Sequence, residues 1–150
     1  MGIAALVQRL RQADIVGLDT MVFIYAFERH PDYGSLAQAI FRALEDGLCR
    51  GCVSVLALGE VLTGVKKAQN PELLLRYRDI FQRFPGLTVA DADAVVMERM
   101  SDLRARYGIP TPNAIHLGTA LACGAGAFVT NDVRLQKVTE IEVLVLAEFA

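Results

Sequence analysis

Four side chains that carry oxygen stand where short apolar runs end or helices begin: Asp19, Glu60, Asn113 and Asp132. Asp19 closes the run Ile15-Val-Gly-Leu-Asp19, and Asp132 comes two residues after Ala127-Phe-Val-Thr130. Glu60 is the one acid in Leu56-Ala-Leu-Gly-Glu-Val-Leu62. It either faces a polar site or lies on a narrow exposed stripe. Asn113 follows Thr111-Pro112 in the first turn of an expected helix. Taken alone, an Asp after a strand reads equally well as a helix cap. Brought together, the four suit a hard divalent cation, Mg²⁺ or Mn²⁺, which takes oxygen ligands and keeps several waters. Such an ion polarises a phosphodiester, generates hydroxide and stabilises the leaving oxygen. Without it, clustered carboxylates repel and raise one another's pKa values.

To meet, these residues need a scaffold, and hydrophobic periodicity supplies one. Helices are expected over about 3–12, 22–27, 36–46 (capped by Ser35), 56–67 and 71–84. The fifth has Asn70 as cap and Pro71 at its first position. Two more run from a cap at Asp91 or Asp93 to Tyr107, and from Thr111, as cap, to about Gly124. Gly108 suits the end of the sixth. Short apolar runs at 15–19, 52–55, 87–89, 127–130 and 142–146 read as strands. Their alternation with helices implies an α/β fold with a parallel sheet covered on both faces. In such sheets ligands bind beyond the carboxyl ends of the strands, where Asp19 and Asp132 lie.

The whole chain, residues 1–150, reads as one domain. At 53% hydrophobic residues it can bury a sizeable core. An apolar excess of this kind often hides a subunit interface. No apolar run reaches the roughly 18 residues of a membrane span, and no signal peptide is visible, so a cytoplasmic location is expected. A net charge of −2 does not advertise nucleic acid, nor does it exclude it, because bound metal reverses the sign of local carboxylates. The clusters Arg9/Arg11, Lys66/Lys67, Arg76/Arg78/Arg83 and Arg104/Arg106 read as solvated helix faces. Cys49-Arg-Gly-Cys52 lacks the second pair of a zinc site and enters a strand instead of opening a helix. Its cysteines are expected as buried thiols. Gly124-Ala-Gly126 precedes a strand and reads as a helix end.

Four segments, in order, resemble the PIN domain family. Val16-Gly-Leu-Asp-Thr-Met-Val-Phe-Ile-Tyr25 is similar to its opening strand, and Ser54-Val-Leu-Ala-Leu-Gly-Glu-Val-Leu62 to its second motif. Pro112-Asn-Ala-Ile-His-Leu-Gly-Thr-Ala-Leu121 resembles the third and Ala127-Phe-Val-Thr-Asn-Asp132 the fourth. The resemblance covers nearly the whole chain. It implies a three-layer α/β/α fold around a parallel sheet of about five strands, and a Mg²⁺- or Mn²⁺-dependent ribonuclease acting on RNA. Small bacterial members are VapC-type toxins, dimeric and neutralised by an antitoxin protein.

By the same resemblance, Asp19, Glu60 and Asp132 match the family's acids. Thr130 and Asn131 match the polar pair before the last acid, with Thr130 expected to orient that carboxylate. Thr20 and Ser54 match recurrent polar positions. Asn113 departs from the pattern, where the family has Asp. An amide oxygen can bind metal but brings no charge and no base, so weaker metal binding and reduced or lost cleavage are expected. Met21 departs too, replacing a small polar residue. His116, one turn after Asn113, either approaches the site or packs between helices. A catalytically silent PIN-like domain that binds RNA or a protein is the competing reading. A phosphotransferase with an aspartyl nucleophile would want an acid where Met21 stands.

Overall fold

A computed structural model describes residues 1–150. Seven helices and five strands alternate along it: α1 (Gly2–Ala13), β1 (Ile15–Leu18), α2 (Thr20–Phe27), α3 (Gly34–Glu45), β2 (Arg50–Ser54), α4 (Val55–Lys67), α5 (Pro71–Arg83), β3 (Leu87–Ala90), α6 (Ala94–Tyr107), α7 (Thr111–Ala122), β4 (Ala127–Thr130) and β5 (Glu142–Val145). A short 3-10 helix spans Val133–Lys137. The strands form one sheet in the order β3-β2-β1-β4-β5, and every pairing is parallel. The order reverses beside β1, between β2 and β4. That is the switch point where a crevice opens beyond the strand ends.

Alternation along the strands divides the core into two layers. Val16 and Leu18 of β1, Ala127 and Val129 of β4, and Leu144 of β5 face one cluster of 27 buried residues, with α1 to α5. Phe128 faces the other way, into a smaller cluster of nine with α6 and α7. Side chains two apart share a face of a strand, so one sheet serves both layers. The result is the three-layer α/β/α architecture expected from the sequence.

The smaller layer depends on a close approach. α7 lies against β1 and β2, and a Cβ built on Gly17 of β1 would stand 2.4 Å from the Cβ of Ala120 in α7. Only a bare backbone lets this helix sit so near the central strand. Caps match the sequence reading at Asn70, whose Oδ1 accepts from Leu73 N, and at Asp93, which accepts from Val96 N. Gly108 adopts the left-handed conformation at φ 65° that ends α6.

Three expectations are corrected. Ser35 does not cap α3. The His30 ring closes the preceding turn by accepting from Asp32 N and Tyr33 N, and the helix winds from Gly34, two residues earlier than expected. Thr111 is likewise inside α7; Pro110 holds the cap position and supplies no side-chain bond. Cys52 is not a free thiol but is disulfide-bonded to Cys123, at the end of α7. The sheet face opposite Val53 brings these two together, whereas Cys49 stays free and buried.

Replacing Gly17 by Ala is expected to destabilise the protein by about 1–3 kcal/mol through overpacking against α7. Gly64→Ala, in α4 with nothing near its would-be Cβ, is expected to stabilise by roughly 0.5–1 kcal/mol. Urea unfolding followed by circular dichroism checks both; equal effects would contradict the close approach.

Candidate metal and phosphodiester site

At the switch point a cleft of about 650 Å³ opens, lined by Asp19, Glu60, Asn113, His116 and Asp132 among others. They come from four separate parts of the fold. Asp19 follows β1 and caps α2, with Oδ1 accepting from Thr20 N at 2.8 Å. Glu60 lies in the second turn of α4. Asn113 and His116 lie one turn apart on α7. Asp132 follows β4 and caps the 3-10 helix by accepting from Arg134 N. The crevice thus collects residues that are far apart in the chain.

Hydrogen bonds hold the carboxylates in place. Thr20 Oγ1 donates to Glu60 Oε1 at 2.6 Å, and His116 Nε2 lies 2.7 Å from the same oxygen. These contacts favour the ionised carboxylate: the His116 hydrogen bond foremost, then that from Thr20, hold Glu60 below its ordinary pKa against the opposing effect of burial. An ionised carboxylate can only accept, so Nε2 is the donor. His116 is buried, and its Nδ1 has no partner. Both readings of this residue therefore apply, since it packs inside the protein and also reaches the site.

Thr130 corrects the expectation made for it. Its hydroxyl donates to Asp19 Oδ2 at 2.7 Å and accepts from Asp132 N at 3.1 Å. It orients the first acid's carboxylate and fixes only the backbone of the last. Asn131 lines the cleft while tying neighbouring segments, accepting from Ala147 N and donating to the Tyr25 hydroxyl. Ser54 does not line the cleft. Buried at the start of α4, it accepts from Leu56 N and so sets the helix that carries Glu60. Met21 stands at the cleft, 39% exposed.

Arg134 was missed by the sequence reading. Its guanidinium grips Asp132, with Nη2 2.7 Å from Oδ2 and Nε 3.0 Å from Oδ1. This pairing holds the Asp132 carboxyl below its usual range, opposed by partial desolvation. Asn113 Nδ2 stands 3.5 Å from Oδ2 of the same carboxylate. The available signal was an Arg two residues after an acid that ends a strand.

Asp19, Glu60, Asn113 and Asp132 offer oxygen donors alone, the chemistry that Mg²⁺ or Mn²⁺ prefers. As folded, no three Asp, Glu, His or Cys side chains form a closed coordination cluster. The amide of Asn113 replaces one carboxylate, and Arg134 occupies another. The donor set fits the ion by type, and the arrangement leaves room for it.

The two lowered carboxyls stabilise the fold at neutral pH. That contribution is present above the unfolded pKa and is lost as pH falls through the lower folded values. Glu60→Gln is expected to shrink the loss of stability on acidification below about pH 4.5, read as melting temperature against pH. An unchanged acid limb would contradict the His116 and Thr20 contacts.

The sequence matches the PIN domain family over residues 16–141. No curated protein shows significant sequence similarity. Among solved structures, the chain is similar to VapBC2 from Rickettsia felis bound to a DNA fragment from their promoter. The TM-score is 0.69 at 22% identity, covering 87% of this chain and 98% of that one. A toxin-antitoxin complex from Klebsiella pneumoniae gives 0.67 at 22% identity, with 88% and 97% covered. DNA-bound VapBC from Salmonella typhimurium gives 0.68 at 21% identity, with 89% and 98% covered. At these identities the likeness is one of fold; the match over most of its length places the chain in the PIN domain family.

Proposed function

We propose that the protein is a metal-dependent endoribonuclease, the toxin of a VapBC-type toxin–antitoxin pair, weakened by Asn113. The observation that carries this reading is the meeting of Asp19, Glu60, Asn113 and Asp132 in one cleft at the sheet's switch point. These four side chains would hold Mg²⁺ or Mn²⁺. Bound there, the ion would supply Lewis-acid activation of the phosphodiester and of the attacking water. Thr130 keeps the Asp19 carboxylate aimed, and Thr20 keeps that of Glu60 aimed and ionised. His116 holds Glu60 from the buried side, and the first turn of α7 adds the partial positive charge of a helix N-terminus. Asn113 adds an oxygen without charge, which lowers affinity for the ion.

The toxin assignment draws on the solved complexes described above, which are toxin–antitoxin assemblies. It brings an antitoxin protein as partner, a homodimer as the working form and the cytoplasm as the location. Exposed Ile3, Leu75 and Val95 are available apolar surface for such contacts. No helix is long and apolar enough to cross a membrane. A second reading, a silent domain that binds RNA or protein, is favoured by the same amide at 113.

Cleavage of a mixed RNA pool with Mn²⁺ tests the proposal, with EDTA, Asp19→Asn and Asn113→Asp alongside. The expected result is slow cutting by the wild type, abolished by EDTA and by Asp19→Asn. Asn113→Asp is expected to raise the rate at least about tenfold. No cutting by any folded form would leave the binding-domain reading in its place.

A further inference from the structure

The cleft has one permanently charged cation at its wall, and that cation rests on an acid. Arg134 alone among the lining residues is Arg or Lys. Its Nε lies 3.0 and 3.3 Å from the two oxygens of Asp132, and its Nη2 lies 2.7 Å from Oδ2. The Arg134 side chain is 69% exposed, while that of Asp132 is 23% exposed. The next residue, buried Leu135, anchors the 3-10 helix. The backbone is therefore fixed while the long side chain is free to change partner.

With the guanidinium largely in solvent, the pair adds only modestly to stability. Binding chemistry does give it a use. An ion in the cleft needs the Asp132 oxygens, and an RNA strand entering among three carboxylates needs a cation. A guanidinium presents a planar fork that fits a carboxylate or a phosphate equally well. We propose that Arg134 is the phosphate-binding residue of the cleft, parked on Asp132 until a divalent cation takes that carboxylate, and then turned to an RNA phosphate. This rests on the nuclease reading above and adds to it a residue and an order of events. Arg134 and the ion compete for Asp132, yet both serve the RNA.

That competition makes opposite signs the signature of the role. The test compares the wild type with Arg134→Gln and Arg134→Lys. Mn²⁺ affinity is measured by calorimetry without RNA. Binding of a short fluorescent single-stranded RNA is measured with Ca²⁺ present, over a salt series. Arg134→Gln is expected to bind Mn²⁺ about two- to five-fold more tightly, because a competing charge is gone. It is expected to bind RNA about three- to ten-fold more weakly. Its dependence of log affinity on log salt falls by about 0.7, the share of one phosphate contact on a single strand. Arg134→Lys keeps the salt slope but loses part of the affinity. Weaker binding of both ion and RNA, with a lowered melting temperature, would make the pair structural and overturn the inference. So would RNA binding by Arg134→Gln equal to that of a wild type that binds both ion and RNA. A wild type that binds neither Mn²⁺ nor RNA overturns the nuclease reading itself and this inference with it.

Discussion

Holding three carboxylates, Asp19, Glu60 and Asp132, in fixed orientations around one cleft is the constraint that organises this end of the molecule. Carboxylates crowded into one cleft tend to take up protons and lose their charge. Donors aim them, Thr130 on Asp19, Thr20 and His116 on Glu60, Arg134 and Asn113 on Asp132, and those on Glu60 and Asp132 also oppose that tendency. The donors come from the end of β4, the starts of α2 and of the 3-10 helix, and the N-terminal half of α7, all at the carboxyl edge of the sheet. The partners of Glu60 and Asp132 favour their charged forms, which suits the divalent ion proposed for the cleft.

Such a cluster can exist only where several strand ends converge, and the order β3-β2-β1-β4-β5 provides that place beside β1. α7 is the element that completes it. Gly17 lets α7 settle onto the central strand, and the Cys52–Cys123 disulfide ties its far end to β2. With that end tied, its first turn presents Asn113 and His116 to the cleft. Packing in the smaller core layer and chemistry at the cleft are thus one geometric problem, in which a shift of the helix moves both residues together.

Much of this was legible in the sequence because strands buried on both faces read as short apolar runs, and an acid that interrupts such a run is conspicuous. Asp19, Glu60 and Asp132 stood out in that way, as did the alternation that defines a parallel sheet. Other features depend on contacts between distant segments. The partner of Cys52 is 71 residues away, so no local pattern marked it, and Cys49 and Cys52 both read as buried thiols. Thr130 faces Asp19 across the β1–β4 pairing, not its sequence neighbour Asp132. Ser35 and Thr111 had the composition of caps but fell inside helices that began two residues and one residue early, respectively. Arg134 looked like any surface cation until the turn folded it back onto Asp132.

Mn²⁺ binding followed by electron paramagnetic resonance, on the wild type and on Asp19→Asn, tests the central claim directly: that these acids form one ion site. Saturable binding by the wild type is predicted, weakened by at least about tenfold in Asp19→Asn with the circular dichroism spectrum unchanged. Equal affinity in the two proteins, or no saturable binding in the wild type, would contradict it.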